Sequence, residues 1–585
     1  MLNIGTAKCL ALLIVILLGV YHGVLHATYG VTPCKGLLKH GMYKVRNRYD
    51  LYQVCDDQQC VQGSQWQPWG CMMHRYTRTD TERCFKYNRF WGGHNHLVFI
   101  GDTRLRQLYL STRRWAESGR EQEVSQTSPG TTELHGLARD LRWDNTAQNL
   151  KLDYYWAPLV NENMMEILET WKTGRGPTVI VIGSGAASIK MSNNSAASLD
   201  QHRRNLTKLR LELENIVQFG GSKVLWALEP PVYWDRLNTT DKFITNEAIS
   251  QYNLESSKVF RESSGVMLWS SIYGLAEGTM DQMTDGFHIS DLAAAKATQM
   301  LLNLLCNDNM NFNDGSCCKS SDRPTSLQII AFIVMAVGLV LTAIIVFYEM
   351  CKRQPSHQYQ HSRYRFLPRP GELLECNLPL NNLTSLILCV AKLSLIIAYF
   401  YVCDRTNLFM KENKYFTPIN FWLPVLYITV VGVFFNEESS SCIIMHRDMT
   451  EEWRGWMMMM IMVYHYTGAS QSVPIYMQVR LCISMHLFLL GYNHFNTAWQ
   501  KGQLGLSRLV QVLFKMNFLT LVLCVCMNRP YQFYYFVPLI SFWFLVLYSV
   551  LVCPPVLSAN TIQVWRQFRA FTADSHSLDI SAGEL

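Results

Sequence analysis

The stretch Phe-Ile-Gly-Asp-Thr-Arg-Leu-Arg-Gln-Leu-Tyr at residues 99–109 decides the fold of the first half of the chain. An apolar run, Leu97–Ile100, ends at Gly101 and Asp102, and the hydroxyl residue Thr103 then opens a pattern with the period of a helix. A short strand that turns into a helix is the repeating unit of sheets that carry helices on both faces. We therefore expect an α/β domain around this stretch.

On either side of it, short β-branched or aromatic runs alternate with helical patterns. The predicted strands are Leu97–Ile100, Leu150–Trp156, Thr178–Ile182, Val224–Leu228 and Val266–Trp269. The predicted helices are Thr103–Ser118, Asn163–Trp171, Ser198–Phe219, Asn246–Glu262 and Asp291–Cys306. This alternation predicts a three-layer α/β domain with a mostly parallel sheet. Ligands bind such sheets at the carboxyl ends of the strands, so we expect a site at the loops that follow Ile100 and Ile182 and precede the last helix.

The N-terminal segment indicates the secretory pathway. Lys8 precedes the apolar run Cys9–Tyr21, which is typical of an uncleaved signal anchor or of a cleavable signal peptide. The anchor, over residues 1–30, is favoured because no small-x-small cleavage site follows the run. Either interpretation places residues 31–325 in the lumen, and glycosylation sequons support that side, at Asn193, Asn205 and Asn238.

Apolar runs dominate the second half of the chain. Leu327–Phe347 is long enough to span a bilayer, and the basic residues after it belong in the cytosol. Six further candidate spans follow: Ser385–Val402, Pro418–Phe435, Trp456–Tyr466, Tyr476–Tyr492, Leu509–Met527 and Phe533–Val552. We therefore expect an all-α multi-pass membrane domain over residues 326–555 and a polar cytosolic tail over residues 556–585.

Composition excludes some classes of partner. The net charge of +7 is small for 585 residues, and no basic patch with interleaved aromatics indicates nucleic-acid binding. A zinc site is disfavoured because the histidines lack ligand-like spacing, so we expect no metal.

Eight cysteines near the ends of the α/β domain predict disulfides in an oxidising lumen, with the pairing left open: Cys34, Cys55, Cys60, Cys71, Cys84, Cys306, Cys317 and Cys318.

The turn at Thr103 has two interpretations. A helix N-terminus offers unpaired backbone N–H groups and the positive end of the helix dipole. A hydroxyl there can attack a carbonyl while those N–H groups stabilise the oxyanion. The alternative is an ordinary N-cap made by Asp102 or Thr103, and this turn alone favours the cap.

A second motif makes the catalytic interpretation stronger. Asp285 and His288 lie three residues apart in the loop before the last predicted helix. The carboxylate can accept from the His Nδ1–H and so hold Nε2 toward the nucleophile. A third loop, Gly183-Ser184-Gly185, can bring the N–H of Gly185 to the oxyanion, with a plain strand-to-helix turn as the equally favoured alternative.

In these residues the sequence resembles the SGNH-type hydrolases and transferases, with Gly-Asp-hydroxyl early and Asp-x-x-His late. It is more closely similar to the sialate O-acetyltransferases (N-acetylneuraminate 9-O-acetyltransferases), Golgi proteins in which a lumenal SGNH-like domain is fused to a multi-span membrane domain. The similarity runs through nearly the whole chain. Its further markers are Cys71–His74, Ile244–Glu247, Asp314–Cys318, Cys403–Arg405, Asn407–Lys414, Glu452–Met457 and Arg529–Pro538.

The resemblance implies a reaction and roles for residues. The donor would be acetyl-CoA, with no bound cofactor, and the acceptor would be the 9-hydroxyl of sialic acid in its CMP-activated form. Thr103 would take the acetyl group or position the acceptor, His288 would act as the general base and Asp285 would orient it. Backbone N–H groups of Thr103 and Gly185 would hold the oxyanion.

Two arginines are also candidates for substrate binding. Arg104 and Arg106 would bind the carboxylate or phosphate of the substrate, since Arg favours bidentate contacts with anions. The alternatives are solvated charge on the helix or a salt bridge within the domain.

The sequence departs from this family in two ways. The nucleophile of the family is a serine, and this chain has Thr103, whose β-methyl restricts χ1. Family members also continue with further spans after the region that matches Pro555. These departures leave a catalytically impaired paralogue as an alternative. A sialate O-acetylesterase is another alternative, although a lumenal esterase has no need of many membrane spans.

Overall fold

The computed structural model describes most of the chain between Pro33 and Val552. The described residues are 13, 16–21, 23–24, 33–44, 65–118, 139–172, 176–192, 195–261, 263, 265–310, 315–319, 323–352, 382–406, 409, 411, 413–414, 416–434, 446–501 and 505–552. Most of the predicted anchor, all of the predicted tail, and Cys55, Cys60 and Asn193 lie outside them.

The α/β domain is built on a six-stranded sheet. Its strands are β3 (Asn95–Gly101), β4 (Leu141–Asn145), β5 (Leu150–Trp156), β6 (Val179–Gly183), β7 (Lys223–Ala227) and β8 (Val266–Trp269). Their order across the sheet is β4-β5-β3-β6-β7-β8, and only the edge strand β4 runs antiparallel to its neighbour. A separate antiparallel pair is formed by β1 (Gly41–Lys44) and β2 (Gln65–Pro68).

Helices cover both faces of the sheet, and the predicted three-layer α/β class is confirmed. They are α1 (Pro33–Lys39), α2 (Arg78–Phe90), α3 (Thr103–Ser118), α4 (Glu162–Glu169), α5 (Ala186–Ser192), α6 (Ala196–Gly220), α7 (Asn246–Arg261), α8 (Ser271–Glu277) and α9 (Asp291–Cys306).

The two faces follow from the alternation of side chains along β3. Leu97 and Phe99 pack into one apolar cluster with α3 and α9, whereas Val98 and Ile100 pack into another with α4 and α6. Successive residues of a strand point to opposite faces, so a strand buried on both sides is apolar throughout.

The end of β3 requires a glycine. Gly101 pairs in register with Gly183 of β6 and has φ +158°. A Cβ atom at Gly101 would clash with the carbonyl oxygen of Gly183. The chain can therefore turn from β3 directly into α3 at this point, which places Thr103 at the carboxyl edge of the sheet.

Disulfides join the two ends of the α/β domain, as the cysteine pattern predicts. The pairs in the described residues are Cys34–Cys318, Cys71–Cys317 and Cys84–Cys306. Each joins positions more than 200 residues apart. Cross-links across such long loops restrict the unfolded chain strongly in the chain-entropy account.

The second half is helical, as expected for a multi-span membrane protein. Its helices are α10 (Ser326–Lys352), α11 (Asn382–Arg405), α12 (Pro418–Phe434), α13 (Arg447–Thr467), α14 (Val473–Lys501), α15 (Leu506–Met527) and α16 (Phe536–Val552). Of the described residues, four stretches are long and apolar enough to cross a membrane: Ser326–Tyr348, Leu383–Arg405, Val473–Thr497 and Leu506–Met527. Pro418–Val433 and Phe536–Val552 form shorter apolar helices.

The segment between α11 and α12 contacts the α/β domain. The Lys411 N–H donates to the Gly70 carbonyl at 3.2 Å, and Asn413 Nδ2 donates to the Met73 carbonyl at 3.0 Å. These bonds place the end of α11 and the start of α12 on the same side of the membrane helices as the α/β domain.

Candidate active site

Thr103, His288 and Asp285 form one hydrogen-bonded line at the carboxyl edge of the sheet. His288 Nε2 lies 3.0 Å from Thr103 Oγ1, and His288 Nδ1 lies 2.5 Å from Asp285 Oδ2. The His288 side chain is 3% exposed, whereas Thr103 is half-buried. A reacting group can therefore reach the hydroxyl while the imidazole stays shielded.

The helix cap and the hydroxyl are separate residues. Asp102 Oδ1 accepts the N–H of Arg104 at 3.0 Å and so caps α3. Thr103 is the first residue of the helix, and its hydroxyl is used on His288 instead. The cap is therefore made by Asp102, and the Thr103 hydroxyl is not used to satisfy the helix start.

Asp285 is held in its ionised form. Its Oδ1 accepts the backbone N–H groups of Phe287 and His288, at 2.9 and 2.8 Å. Burial alone would raise the pKa of Asp285, but the hydrogen bonds and charge of His288 and those two N–H groups lower it below its ordinary value. The carboxylate is thus suited to fix the His288 tautomer that presents Nε2 to the hydroxyl.

Two backbone donors at the carboxyl edge of the sheet are unpaired among the described residues. Within the part of the chain that the structure describes, the N–H groups of Thr103 and Gly185 make no hydrogen bond. Gly185 is buried just before α5, and a Cβ there would lie 2.9 Å from Glu229 Cγ. Unpaired N–H groups at a helix start are the donors that an oxyanion requires, so the predicted oxyanion role remains open to both residues.

The two arginine candidates are both buried. Arg104 Nη1 donates to Glu229 Oε2 at 2.8 Å, and the two side chains are 4% and 6% exposed. This is the salt bridge within the domain that the sequence left open as an alternative to substrate binding. Arg106 is 6% exposed, with its charge close to the Tyr154 hydroxyl.

Two residues of the site were missed by the sequence analysis. Tyr154, in β5, donates its hydroxyl to the carbonyl of Asp102 at 2.9 Å and so supports the turn before Thr103. Glu229 follows β7 at the same edge of the sheet. The available signal was position alone, because polar residues just beyond parallel strands gather where ligands bind.

The predicted glycosylation sites differ in access. Asn238 is exposed at the start of a short 3₁₀ turn. Asn205 lies within α6, and its Nδ2 donates to the Val160 carbonyl at 2.6 Å. The exposed amide of Asn238 is therefore the more accessible acceptor of the two.

The arrangement supports acyl transfer or ester hydrolysis. A hydroxyl bonded to an imidazole, which is bonded to a carboxylate, can be deprotonated as it attacks a carbonyl. Among the described residues, no group of three or more His, Cys, Asp and Glu side chains is arranged to hold a metal ion.

Comparisons with known proteins indicate which class of acyl-transferring protein the chain resembles. A family model described as a 10 TM acyl transferase domain found in Cas1p matches residues 310–572. The chain is also 34% identical over 572 residues to the N-acetylneuraminate (7)9-O-acetyltransferase of Danio rerio. That alignment covers 96% of this chain and 67% of the zebrafish protein.

Together, the site and the match over the membrane helices define a membrane-bound acyltransferase. The chain belongs to the N-acetylneuraminate 9-O-acetyltransferase family. The family resemblance inferred from its motifs is therefore confirmed.

Proposed function

We propose that this protein transfers an acetyl group from acetyl-CoA to a hydroxyl of sialic acid, the 9-hydroxyl of the CMP-activated sugar, in the lumen of the Golgi. The observation that carries the proposal is the line of hydrogen bonds from Asp285 through His288 to Thr103. The name of the zebrafish relative supports sialic acid as the acceptor. The disulfides of the α/β domain support an oxidising compartment.

Transfer proceeds in two half-reactions. In the first, Thr103 Oγ1 gives its proton to His288 Nε2 and attacks the thioester carbonyl, and the N–H groups of Thr103 and Gly185 hold the oxyanion. The carbon–sulfur bond then breaks, and CoA leaves as a thiol with the proton from His288. In the second, the sugar hydroxyl gives its proton to His288 and attacks the Thr103 ester, which returns the hydroxyl to Thr103.

The threonine is compatible with this role. Its β-methyl restricts χ1, yet its hydroxyl lies at hydrogen-bonding distance from the imidazole, 3.0 Å from Nε2. The crowding by the methyl group acts on the acyl group rather than on the proton transfer. We therefore expect a slower enzyme than one with serine, rather than an inactive one.

The test compares substitutions at Thr103 in the full-length chain in membranes. Acetylated sugar formed from acetyl-CoA and CMP-sialic acid is measured by mass spectrometry. Thr103→Ser is expected to raise the rate, whereas Thr103→Ala and His288→Ala lower it by about 10²- to 10⁴-fold. Thr112→Ser is the matched control, because Thr112 lies on the same helix and its hydroxyl bonds, among the described residues, to the Leu108 carbonyl and to Thr298.

Three outcomes decide between the candidate functions. Full activity of Thr103→Ala would remove Thr103 as the nucleophile. No product from either wild type or Thr103→Ser, with both folded, would favour the impaired paralogue. Release of acetate from 9-O-acetyl sialic acid, with no transfer of acetyl from acetyl-CoA to CMP-sialic acid, would favour the esterase.

A further inference from the structure

Two side chains of α3 bond to the backbone on both sides of His288. Arg104 Nε donates to the Phe287 carbonyl at 3.1 Å, and Gln107 Nε2 donates to the Ile289 carbonyl at 2.6 Å. Residues three apart on a helix share one face, so both donors reach the same loop. The loop that carries the base is thereby tied to the helix that begins at Thr103.

A buried ion pair fixes the position of Arg104. Its Nη1 donates to Glu229 Oε2 at 2.8 Å and to the Pro230 carbonyl at 3.0 Å. Its Cζ also lies 4.1 Å from the ring centroid of Phe287, in a cation–π contact. One guanidinium therefore touches the segment after β7 and the loop before α9 at the same time.

Glu229 is itself held from two directions. Its Oε1 accepts the N–H of Ala186, the residue after Gly185, at 3.2 Å. Its backbone N–H and carbonyl bond to the side-chain amide of Asn253, at 2.8 and 2.9 Å. The ion pair thus joins the turn at Thr103, the loop at Gly185 and the loop at His288.

The neighbouring space is too small for a substrate. A cavity of about 20 Å³ beside the ion pair is lined by Asp102, Arg104 and Glu229, among others. That volume has room for about one water molecule. In this structure the Arg104 side chain is 4% exposed and its guanidinium contacts Glu229, Pro230 and Phe287.

We propose that Arg104, together with Gln107, is a positioning residue for acyl transfer, which holds the loop of His288 so that Nε2 stays in contact with Thr103 Oγ1. This inference rests on the proposed function. Proton transfer depends steeply on the separation of the two atoms, and a displacement of about 1 Å can reduce turnover about 100-fold. Glu229 acts one step further away, because it holds Arg104.

The informative variant is Arg104→Lys in the full-length chain. Lysine keeps the positive charge that pairs with Glu229, but it lacks the Nε–H and the planar guanidinium group. The hydrogen bond to the Phe287 carbonyl is therefore lost. We expect kcat for acetyl transfer to fall about 10- to 100-fold with KM for acetyl-CoA unchanged. A role limited to neutralising Glu229 would leave the kcat of this variant near that of wild type, which would overturn the proposal.

A double variant separates folding from positioning. Arg104→Met alone leaves Glu229 buried without its cation, a change expected to destabilise the fold. Arg104→Met/Glu229→Gln removes both charges, so we expect a melting temperature closer to wild type while turnover stays low. Recovery of turnover together with stability would contradict a positioning role. Arg113→Met/Glu117→Gln is the matched control, an exposed pair on the same helix, and should change neither quantity.

Two readouts keep this test independent of the acceptor. Hydrolysis of 4-nitrophenyl acetate requires only the hydroxyl, base and carboxylate. If the wild-type chain hydrolyses this ester but acetylates no sialic acid, the proposed acceptor is wrong, and the positioning role can still be tested by ester hydrolysis. If wild type cleaves no ester, structures of the wild-type chain and of Arg104→Lys decide. A separation of His288 Nε2 from Thr103 Oγ1 beyond about 3.5 Å in the variant supports the proposal, and an unchanged separation overturns it.

Discussion

At the scale of single residues, Asp102 combines two properties that rarely meet in one carboxyl group. It caps α3 through Oδ1, yet its Oδ2 has no hydrogen-bond partner among the described residues and the side chain is buried. Burial and the nearby charge of Glu229 raise the pKa of Asp102 to about 7, although Arg104 acts in the opposite direction. The group therefore titrates close to neutrality, next to Thr103 in the chain.

This shift predicts a pH-dependent stability. Between its ordinary pKa of 3.8 and about 7, the folded protein holds this proton more tightly than the unfolded chain. The free energy of unfolding therefore falls as pH rises through that window. Asp102→Asn cannot titrate and still caps the helix, so the melting temperature of this variant should exceed that of wild type by more at pH 8 than at pH 5.

The control for this experiment is Asp144→Asn, at an exposed carboxylate on β4. The difference in melting temperature between Asp144→Asn and wild type should stay constant between pH 5 and pH 8. The pKa of Asp285 is lowered, so the stability that Asp285 contributes is lost only as pH falls below about 4. A wild-type curve parallel to that of Asp102→Asn would show that Asp102 is ionised throughout this range.

The sequence could indicate the three side chains that the structure brings into one hydrogen-bonded line, because their signals are local. Thr103 follows a strand-to-helix turn, and Asp285 and His288 lie within one loop. The surroundings of Arg104 are not local, since its partner Glu229 lies 125 positions away. Whether an arginine binds a substrate or a carboxylate of its own domain depends on that contact, which no short pattern contains.

At the scale of elements, α9 acts as a partner for an extended segment of backbone. Asn303 accepts the N–H of His74 and donates to its carbonyl, both at 2.8 Å. Gln299, one turn earlier, makes the same pair of bonds with Tyr76, at 2.8 and 3.1 Å. Amide side chains four residues apart on a helix thus make the backbone hydrogen bonds that a neighbouring strand would otherwise make with residues 74–76.

Asn303→Leu should destabilise the α/β domain by about 2–3 kcal/mol, because the N–H and carbonyl of His74 lose this partner on folding. The measurement is thermal unfolding of the purified chain. Gln201→Leu is the control, since it also replaces a side-chain amide by leucine, at an exposed position on α6, and should shift stability by less than about 0.5 kcal/mol. Equal effects of the two substitutions would show that the bonds of Asn303 contribute nothing beyond helix formation.

The elements that the sequence predicted well are long or strongly apolar. The predicted bounds of α3, α9, β5 and β8 agree with the observed helices and strands. Other elements were not predicted, namely β1, β2, β4, α1, α2, α5 and α8. Strands of four or five residues with exposed polar positions, such as β4, carry too few apolar residues to show a period, and their pairing depends on the rest of the sheet.

At the scale of the whole molecule, hydrogen bonds at helix ends establish which ends lie together. Gln328 Nε2, near the start of α10, donates to the Cys526 carbonyl near the end of α15, at 2.9 Å. Arg405, at the end of α11, donates to the Met527 carbonyl at 2.7 Å. Lys414 Nζ donates to the His465 carbonyl near the end of α13, at 2.7 Å. Cations at these carbonyl ends also complement the helix dipoles.

These contacts predict the sidedness of the chain. The segment of Lys411 and Asn413 bonds to the α/β domain, so the ends of α11, α13 and α15 should face the compartment that contains this domain. With these ends on one side, α10 and α11 should cross the bilayer in opposite directions, as should α14 and α15, whose apolar stretches are all long enough to span it. Positions between α13 and α14 would share a side with the α/β domain, and the start of α15 would lie on the opposite side.

Cysteine labelling of sealed vesicles with a membrane-impermeant maleimide tests this arrangement. Ser470→Cys, between α13 and α14, and Asn238→Cys, on the α/β domain, are both at exposed positions and should be labelled only after the vesicles are opened. Ser507→Cys, exposed near the start of α15, should be labelled in intact vesicles. The unsubstituted chain measures the background from the native cysteines. Equal labelling of Ser470→Cys and Ser507→Cys in intact vesicles would require that α14 does not cross, since a single crossing separates these two positions.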